Sequence, residues 1–209
     1  MSADQSASFN ECFDITLTAE QRMTRESLRR FARAEIQSLA RASDEAGQPP
    51  AEFFNRIAEL GLSLMPIPEA LGGAGMIRSP VSNMLNAEDL GKGDMSLAIA
   101  ALTPSSFINV LLDQASERQQ EKYLTPLANE RFQVATIAVM EPRATFDAAD
   151  IRTKALKVAT GYCLNGEKTM VALAAQARFI LVLAADENNR IAGFIVDGDS
   201  AGRTNTTWG

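Results

Sequence analysis

Histidine is missing from all 209 residues of the chain. Its absence removes the Ser/His/Asp and Cys/His nucleophile systems and the commonest ligand of transition metals. Chemistry therefore falls to carboxylates, backbone amides or a bound cofactor, and no metal site is expected. Cysteine is scarce: Cys12 and Cys163 lie far apart without a CxxC partner, which excludes a zinc cluster or a disulfide framework and fits a reducing, cytoplasmic setting. The N-terminus has neither the basic start nor the apolar run of a signal peptide, and no window reads as approaching a membrane span. Positive charge is in deficit, with 20 Lys and Arg against 26 Asp and Glu and a pI near 4.8. That balance disfavours nucleic acid as a partner. The one basic cluster, Arg22, Arg25, Arg29, Arg30 and Arg33, is diluted by Glu20, Glu26 and Glu35. It falls opposite the apolar stripe Leu28, Phe31, Ile36 and Leu39, so it is expected to be a solvated helix face.

What is present is organised in two halves. Residues 1–15 read as a disordered lead. Thr18 to Gln21 forms a capping box opening a helix that runs to about Ala42. Pro49 and Pro50 start a second helix, whose stripe Phe53, Phe54, Ile57 and Leu60 stops at Gly61. A loop with three glycines, Gly72, Gly73 and Gly75, follows. Its PEALGGAG stretch fits neither GxGxxG nor the P-loop and is expected to be a tight structural turn. Ser79-Pro80 opens a third helix, Asp94 caps a fourth that is apolar nearly all round, Phe107 to Leu112 makes a fifth after Pro104, and SERQ at 116–119 opens a sixth. Past Asn129 the period changes. Phe132 to Val139, Arg152 to Ala159, Phe179 to Ala184 and Ile191 to Val196 read as strands of an antiparallel sheet or barrel, with turns at Thr160-Gly161, Asn165-Gly166 and Asn188-Asn189. The expected fold class is α+β: an all-α domain over 16–131, then an antiparallel, barrel-like β domain over 132–209.

Six segments together resemble the acyl-CoA dehydrogenase family: LTAEQRMTRESLRRFARAEI, AELGLSLMPIPEALGGAGM, LGKGDMSLA, QQEKYLTPLANE, AVMEP followed by Asp147, and GYCLNGEKT followed by an apolar strand. They stand in the family's order from about residue 16 to the end. The resemblance implies a helical domain, a middle β domain and a C-terminal helical bundle, and the chain is expected to end before that bundle. It further implies FAD-dependent α,β-dehydrogenation of an acyl-CoA thioester, a flavin-linked electron acceptor, and a homodimer or homotetramer. A flavin suits a chain without histidine, because no side chain accepts a hydride. No catalytic base is assigned here, since the family's base belongs to the C-terminal bundle, and the chain alone is expected to be inactive.

The same resemblance places candidate cofactor contacts at Ile137, Ala138, Val139 and Met140, at Phe146, and at Met170, Val171 and Ala172, with Phe146 also near substrate. Met140 stands where the family usually has Thr, Phe146 where it has Ser, Met170 where it has Trp, and Ala172 where it has Thr. FAD is thus held mainly by backbone, or the chain is an FAD-free homologue serving as a partner subunit. A flavin monooxygenase of the same fold group is the further alternative. Glu141, a carboxylate in an apolar strand, invites a reading as a base with a raised pKa; the resemblance makes it structural, beside the turn-fixing Pro142. Apolar segments 97–102 and 107–112 are candidates either for an acyl-chain pocket or for plain core.

Overall fold

The computed structural model describes residues 16–128 and 131–206, so the expected disordered lead lies outside the described residues. Helix α1 (Ala19–Phe31) begins with the expected capping box: Gln21 N–H donates to the Thr18 hydroxyl at 3.1 Å, and Thr18 N–H to the Gln21 side chain at 3.0 Å. A wide π-turn over Ala32–Ile36 leads into α2 (Gln37–Ala46), which ends at the left-handed Gly47. Helix α3 (Ala51–Leu60) starts after Pro50 and stops at Gly61, again left-handed. Ser79 caps α4 (Pro80–Gly91). The following turn passes so close to the π-turn that a Cβ on Gly93 would lie 2.7 Å from the Ala32 carbonyl oxygen.

Two of the expected surface arginines reach inward to a buried carboxylate, Arg29 while still part-exposed. Asp89 on α4 is fully buried, and Arg25 and Arg29 reach it at 2.7 and 2.9 Å. Burial alone would raise the Asp89 pKa, but the two guanidiniums outweigh it and hold the carboxylate down to about 2. Arg25 is mostly covered as a result. The sequence showed the charges but not that two of them meet across α1 and α4.

The fourth and fifth expected helices are one, α5 (Met95–Gln114), capped by Asp94 and running through Pro104. An interior proline costs roughly 3 kcal/mol. Burial of Phe107, Ile108 and Leu111 beyond it, at about 1.5–3 kcal/mol each, outweighs that. The Thr103 hydroxyl also donates to the Ile99 carbonyl at 2.7 Å. The fused helix is long and apolar enough to cross a membrane, with a mean hydropathy of 1.7, which corrects the expectation that no window approaches a span. Half of that window is buried inside the protein, as befits a core helix. Helix α6 (Glu117–Leu124) carries the second capping box.

The sheet contains β1 (Ala135–Ala138), β2 (Lys154–Val158), β3 (Gly161–Asn165), β4 (Phe179–Ala185) and β5 (Ile191–Asp197). Strand β4 lies between β5 on one edge and β1 and β2 on the other. The pairs β2–β3 and β4–β5 are antiparallel as expected, but β1 runs parallel to β4, from Ala135↔Phe179 to Ala138↔Val182. The sheet is mixed rather than wholly antiparallel. Apolar periodicity reports which residues are buried, not strand direction, and the long path from β1 to β4 allows a return in the same sense. Strand β3 escaped detection because it is mostly exposed and its Gly161, with Gly166 just beyond it, reads as turn. The helical and β halves share a core in which Ile67, Phe107, Ile108, Leu111, Leu124 and Leu127 meet Ala135, Phe179 and Leu181. Phe107 stacks on Phe179, and Tyr123 meets the same ring edge-on.

Candidate functional site

The end of β1 and the segment 168–172 lie side by side. Thr169 N–H donates to the Met140 carbonyl at 2.9 Å, and the Lys168 ammonium donates to the Val139 carbonyl at 2.9 Å. Ala138 is buried, and Val171 packs on the cluster of Val134, Ala138, Ala177 and Ile180. The side chains of Ala138 and Val171 therefore face the core, leaving their backbone as what they can offer a ligand. Met140 is 43% exposed and Met170 79% exposed, so both thioethers lie at the surface beside this junction. Met170 and Leu173 adopt left-handed φ values of 56° and 53°. That costs a non-glycine residue about 1–2 kcal/mol each and is tolerated only where the surroundings impose it. Leu173 is anchored by packing against two core clusters.

Strand β1 pairs with β4 on one edge, and among the described residues no strand lies along its other edge. Alternate backbone groups of Ala135–Ala138 are thus directed away from β4, to an edge without a strand neighbour. A planar ligand whose rim carries hydrogen-bonding atoms fits these groups, with Met140 and Met170 as polarizable apolar contacts for its ring. Phe146 belongs to a separate turn. The Arg143 guanidinium lies over its ring at 5.5 Å and pairs with Asp150 at 2.7 Å, while Asp147 accepts from Ala149 N–H at 2.8 Å. No side-chain hydroxyl stands at 140, 146 or 172, so the residues present fit a flavin held through backbone and soft apolar contact.

Glu141 is the organising group behind this junction and only 4% exposed. Its carboxylate accepts from Arg152 N–H at 3.0 Å, from Thr153 N–H and hydroxyl at 2.7 Å each, and from Lys168 at 3.2 Å, with Arg143 at 3.6 Å. Desolvation pushes its pKa up, but these donors together bring it down to about 2. A carboxylate so stabilised is a poor base, and its oxygens are occupied; Glu141 is structural. Lys168 is depressed by its own burial, partly offset by Glu141. Neither Lys168 nor Asp89 was singled out from sequence. The only signal for Lys168 was its place in the NGEKT turn.

The glycine loop offers no anion cradle. Its amides are consumed internally: Gly72 N–H donates to the Glu69 carbonyl, Gly73 to Pro68, Ala74 to Leu64, Gly75 to Ile67 and Met76 to Met65. A Cβ on Gly73 would fall inside the Ile67 carbonyl. Both acyl-pocket candidate segments are largely core: Phe107, Ile108 and Leu111 in one cluster, Leu97, Ala98, Ala100 and Ala101 in another. The exposed Ile99, with the edges of Leu97 and Ala100, also borders a cleft of about 700 Å³, together with Ser43, Pro49, Ala172 and Leu173. That cleft joins α5 to the 168–172 segment. A second cleft of about 500 Å³ lies between α1, α4 and α5 on the helical side.

A helical layer shares its core with a mixed sheet, and strand β1 forms one border of that sheet. Residues 18–131 match the family model for the acyl-CoA dehydrogenase N-terminal domain, and residues 136–209 match that for the acyl-CoA dehydrogenase middle domain. The chain belongs to the acyl-CoA dehydrogenase family. It is 36% identical over 201 residues to the probable acyl-CoA dehydrogenase YngJ of Bacillus subtilis, covering 93% of this chain and 52% of that protein. Among solved structures it resembles butyryl-CoA dehydrogenase from Megasphaera elsdenii, with a TM-score of 0.78 and 28% identity over 91% of this chain and 51% of that one. It likewise resembles a glutaryl-CoA dehydrogenase from Mycobacterium smegmatis in complex with FADH2, with a TM-score of 0.78 and 25% identity over 93% and 50% of the two chains. The chain spans about half the length of these relatives.

Proposed function

We propose that this chain holds FAD through the backbone of Ile137 to Met140 and Met170 to Ala172, and forms part of a protein that dehydrogenates an acyl-CoA thioester between its α and β carbons. The observation that carries the reading is the junction of the open β1 edge with the 168–172 segment, in a chain matching two consecutive domains of the family. When bound, the flavin supplies the acceptor for the β-carbon hydride, which no side chain offers. This chain's residues orient it: Glu141 and Lys168 fix the two backbone segments, and Met140 and Met170 cover the ring. The cleft lined by Leu97, Ile99 and Ala100 is suited to an acyl chain reaching toward Ala172. Glu141 is held too acidic to take the α proton. The base is assigned to residues outside these 209, as are contacts completing a homodimer or homotetramer. A flavin-linked electron acceptor and a cytoplasmic location complete the proposal.

Titration of the chain with FAD, followed by quenching of flavin fluorescence, tests the cofactor reading, with saturable quenching expected. The altered side chains at 140, 146, 170 and 172 favour a second reading, an FAD-free homologue acting as a partner subunit. No quenching by the unaltered chain, with quenching acquired in the triple variant Met140→Thr, Met170→Trp, Ala172→Thr, would overturn the first reading in favour of the second.

A further inference from the structure

Deepening the cofactor reading above, we infer that Lys168 is a positioning residue: its buried ammonium orients and polarises the Val139–Met140 peptide so that Met140 N–H is presented as a strengthened donor to an acceptor atom on the flavin rim. Lys168 has 8% of its side chain exposed, and its ammonium donates to the Val139 carbonyl at 2.9 Å while resting on Glu141 at 3.2 Å. The Val139 carbonyl and the Met140 N–H belong to one peptide unit. The peptide is trans, like every other described one, so the two groups point in opposite directions. With the carbonyl turned to Lys168, the N–H faces away from it. Among the described residues none accepts a hydrogen bond from Met140 N–H. A cation on the carbonyl draws electron density through the amide and makes the N–H a better donor, and low local polarity strengthens the effect.

The rest of the cluster serves the same geometry. Glu141 fixes the ammonium while being held by Arg152 N–H and by Thr153, so Lys168 cannot swing to solvent without leaving a buried anion underpartnered. Thr169 N–H takes the Met140 carbonyl, securing the far side of the same residue. The lost Thr hydroxyl of the family is thereby offset at Met140 by a stronger backbone donor. A neutral residue at 168 would present a weaker donor.

The test uses the chain labelled with nitrogen-15 at methionine and reads the amide proton resonances of Met140, Met170 and, as a remote reference, Met23. In the unaltered chain FAD should move the Met140 proton downfield. Lys168→Met should move it upfield before FAD is added, shrink its response to FAD, and weaken FAD binding about tenfold, the worth of one charge-assisted hydrogen bond. Lys168→Arg, which keeps the cation, should restore most of the response. If neither Met140 nor Met170 responds to FAD in the unaltered chain, the cofactor reading fails and this inference with it. If FAD moves Met170 but not Met140, or moves Met140 equally in Lys168→Met, the inference alone is overturned. Circular dichroism of each variant identifies a variant that has lost its fold. In that case Lys168→Gln, of intermediate polarity, is read instead, with the same outcomes deciding.

Discussion

Replacing Glu141 by Gln keeps the shape of the side chain but removes its charge, and two independent considerations size the effect. The folded-state pKa is held at about 2 against an ordinary 4.5. Because the folded value is depressed, the charge contributes stability that is present above the unfolded pKa and lost as pH falls through 4.5 toward 2. At about 1.4 kcal/mol per unit this amounts to about 3 kcal/mol at neutral pH. Counted by contacts, the Gln amide would leave at least one of the donors from Arg152, Thr153 and Lys168 without a full acceptor and would strip the charge opposing Lys168. Orphaned buried donors cost about 1–3 kcal/mol each, and breaking a buried ion pair about 3–5 kcal/mol. Urea unfolding followed by circular dichroism should therefore give a variant less stable by about 3 kcal/mol at pH 7. The difference between the two proteins should shrink below about pH 4.5 and nearly vanish near pH 2, because the unaltered Glu141 is then about half protonated in the folded chain and neutral in the unfolded one. Asp89 titrates in both proteins and cancels. A difference under about 1 kcal/mol at pH 7, or one that stays constant from pH 5 to 3, would refute the account.

Other outcomes follow from the same structure. Asp89→Asn should destabilise the chain by about 2 kcal/mol or more at neutral pH, since it leaves Arg25 and Arg29 facing a neutral buried group; a melting temperature unchanged within error would contradict this. Gly73→Ala should lower the melting temperature sharply, because the added methyl overlaps the Ile67 carbonyl, whereas Gly47→Ala, with open space around it, should cost only the strain of a left-handed residue, about 1 kcal/mol. Saturable FAD binding by the chain is expected from fluorescence titration, and it should weaken about tenfold in Lys168→Met.

The sequence by itself determined the order of the helical and β halves, the caps and the family. Thr18 with Gln21, Ser79 before Pro80, Asp94 and the glycine stops are local signals, because a helix end is satisfied by residues three or four positions away. Helix spacing before Asn129 and β-branched runs after it were legible for the same reason. Only the tertiary structure decided what depends on partners distant in the chain. Pro104 signals a break, yet buried neighbours on both sides carry the helix through it. The parallel pairing of β1 with β4 joins residues over forty positions apart and leaves no trace in periodicity. Arg25 and Arg29 read as a wet face until Asp89, sixty and more residues away, is brought beneath them. The candidate site shows the same division. Its residues at 137–140 and 170–172 were named from motifs. That Lys168 and Glu141 hold those two segments in register, and that Glu141 is thereby made a strong acid instead of a base, follows from donors that converge only in the folded chain. The sign of a buried carboxylate's pKa shift is set by how many hydrogen bonds reach it, and sequence spacing does not carry that number.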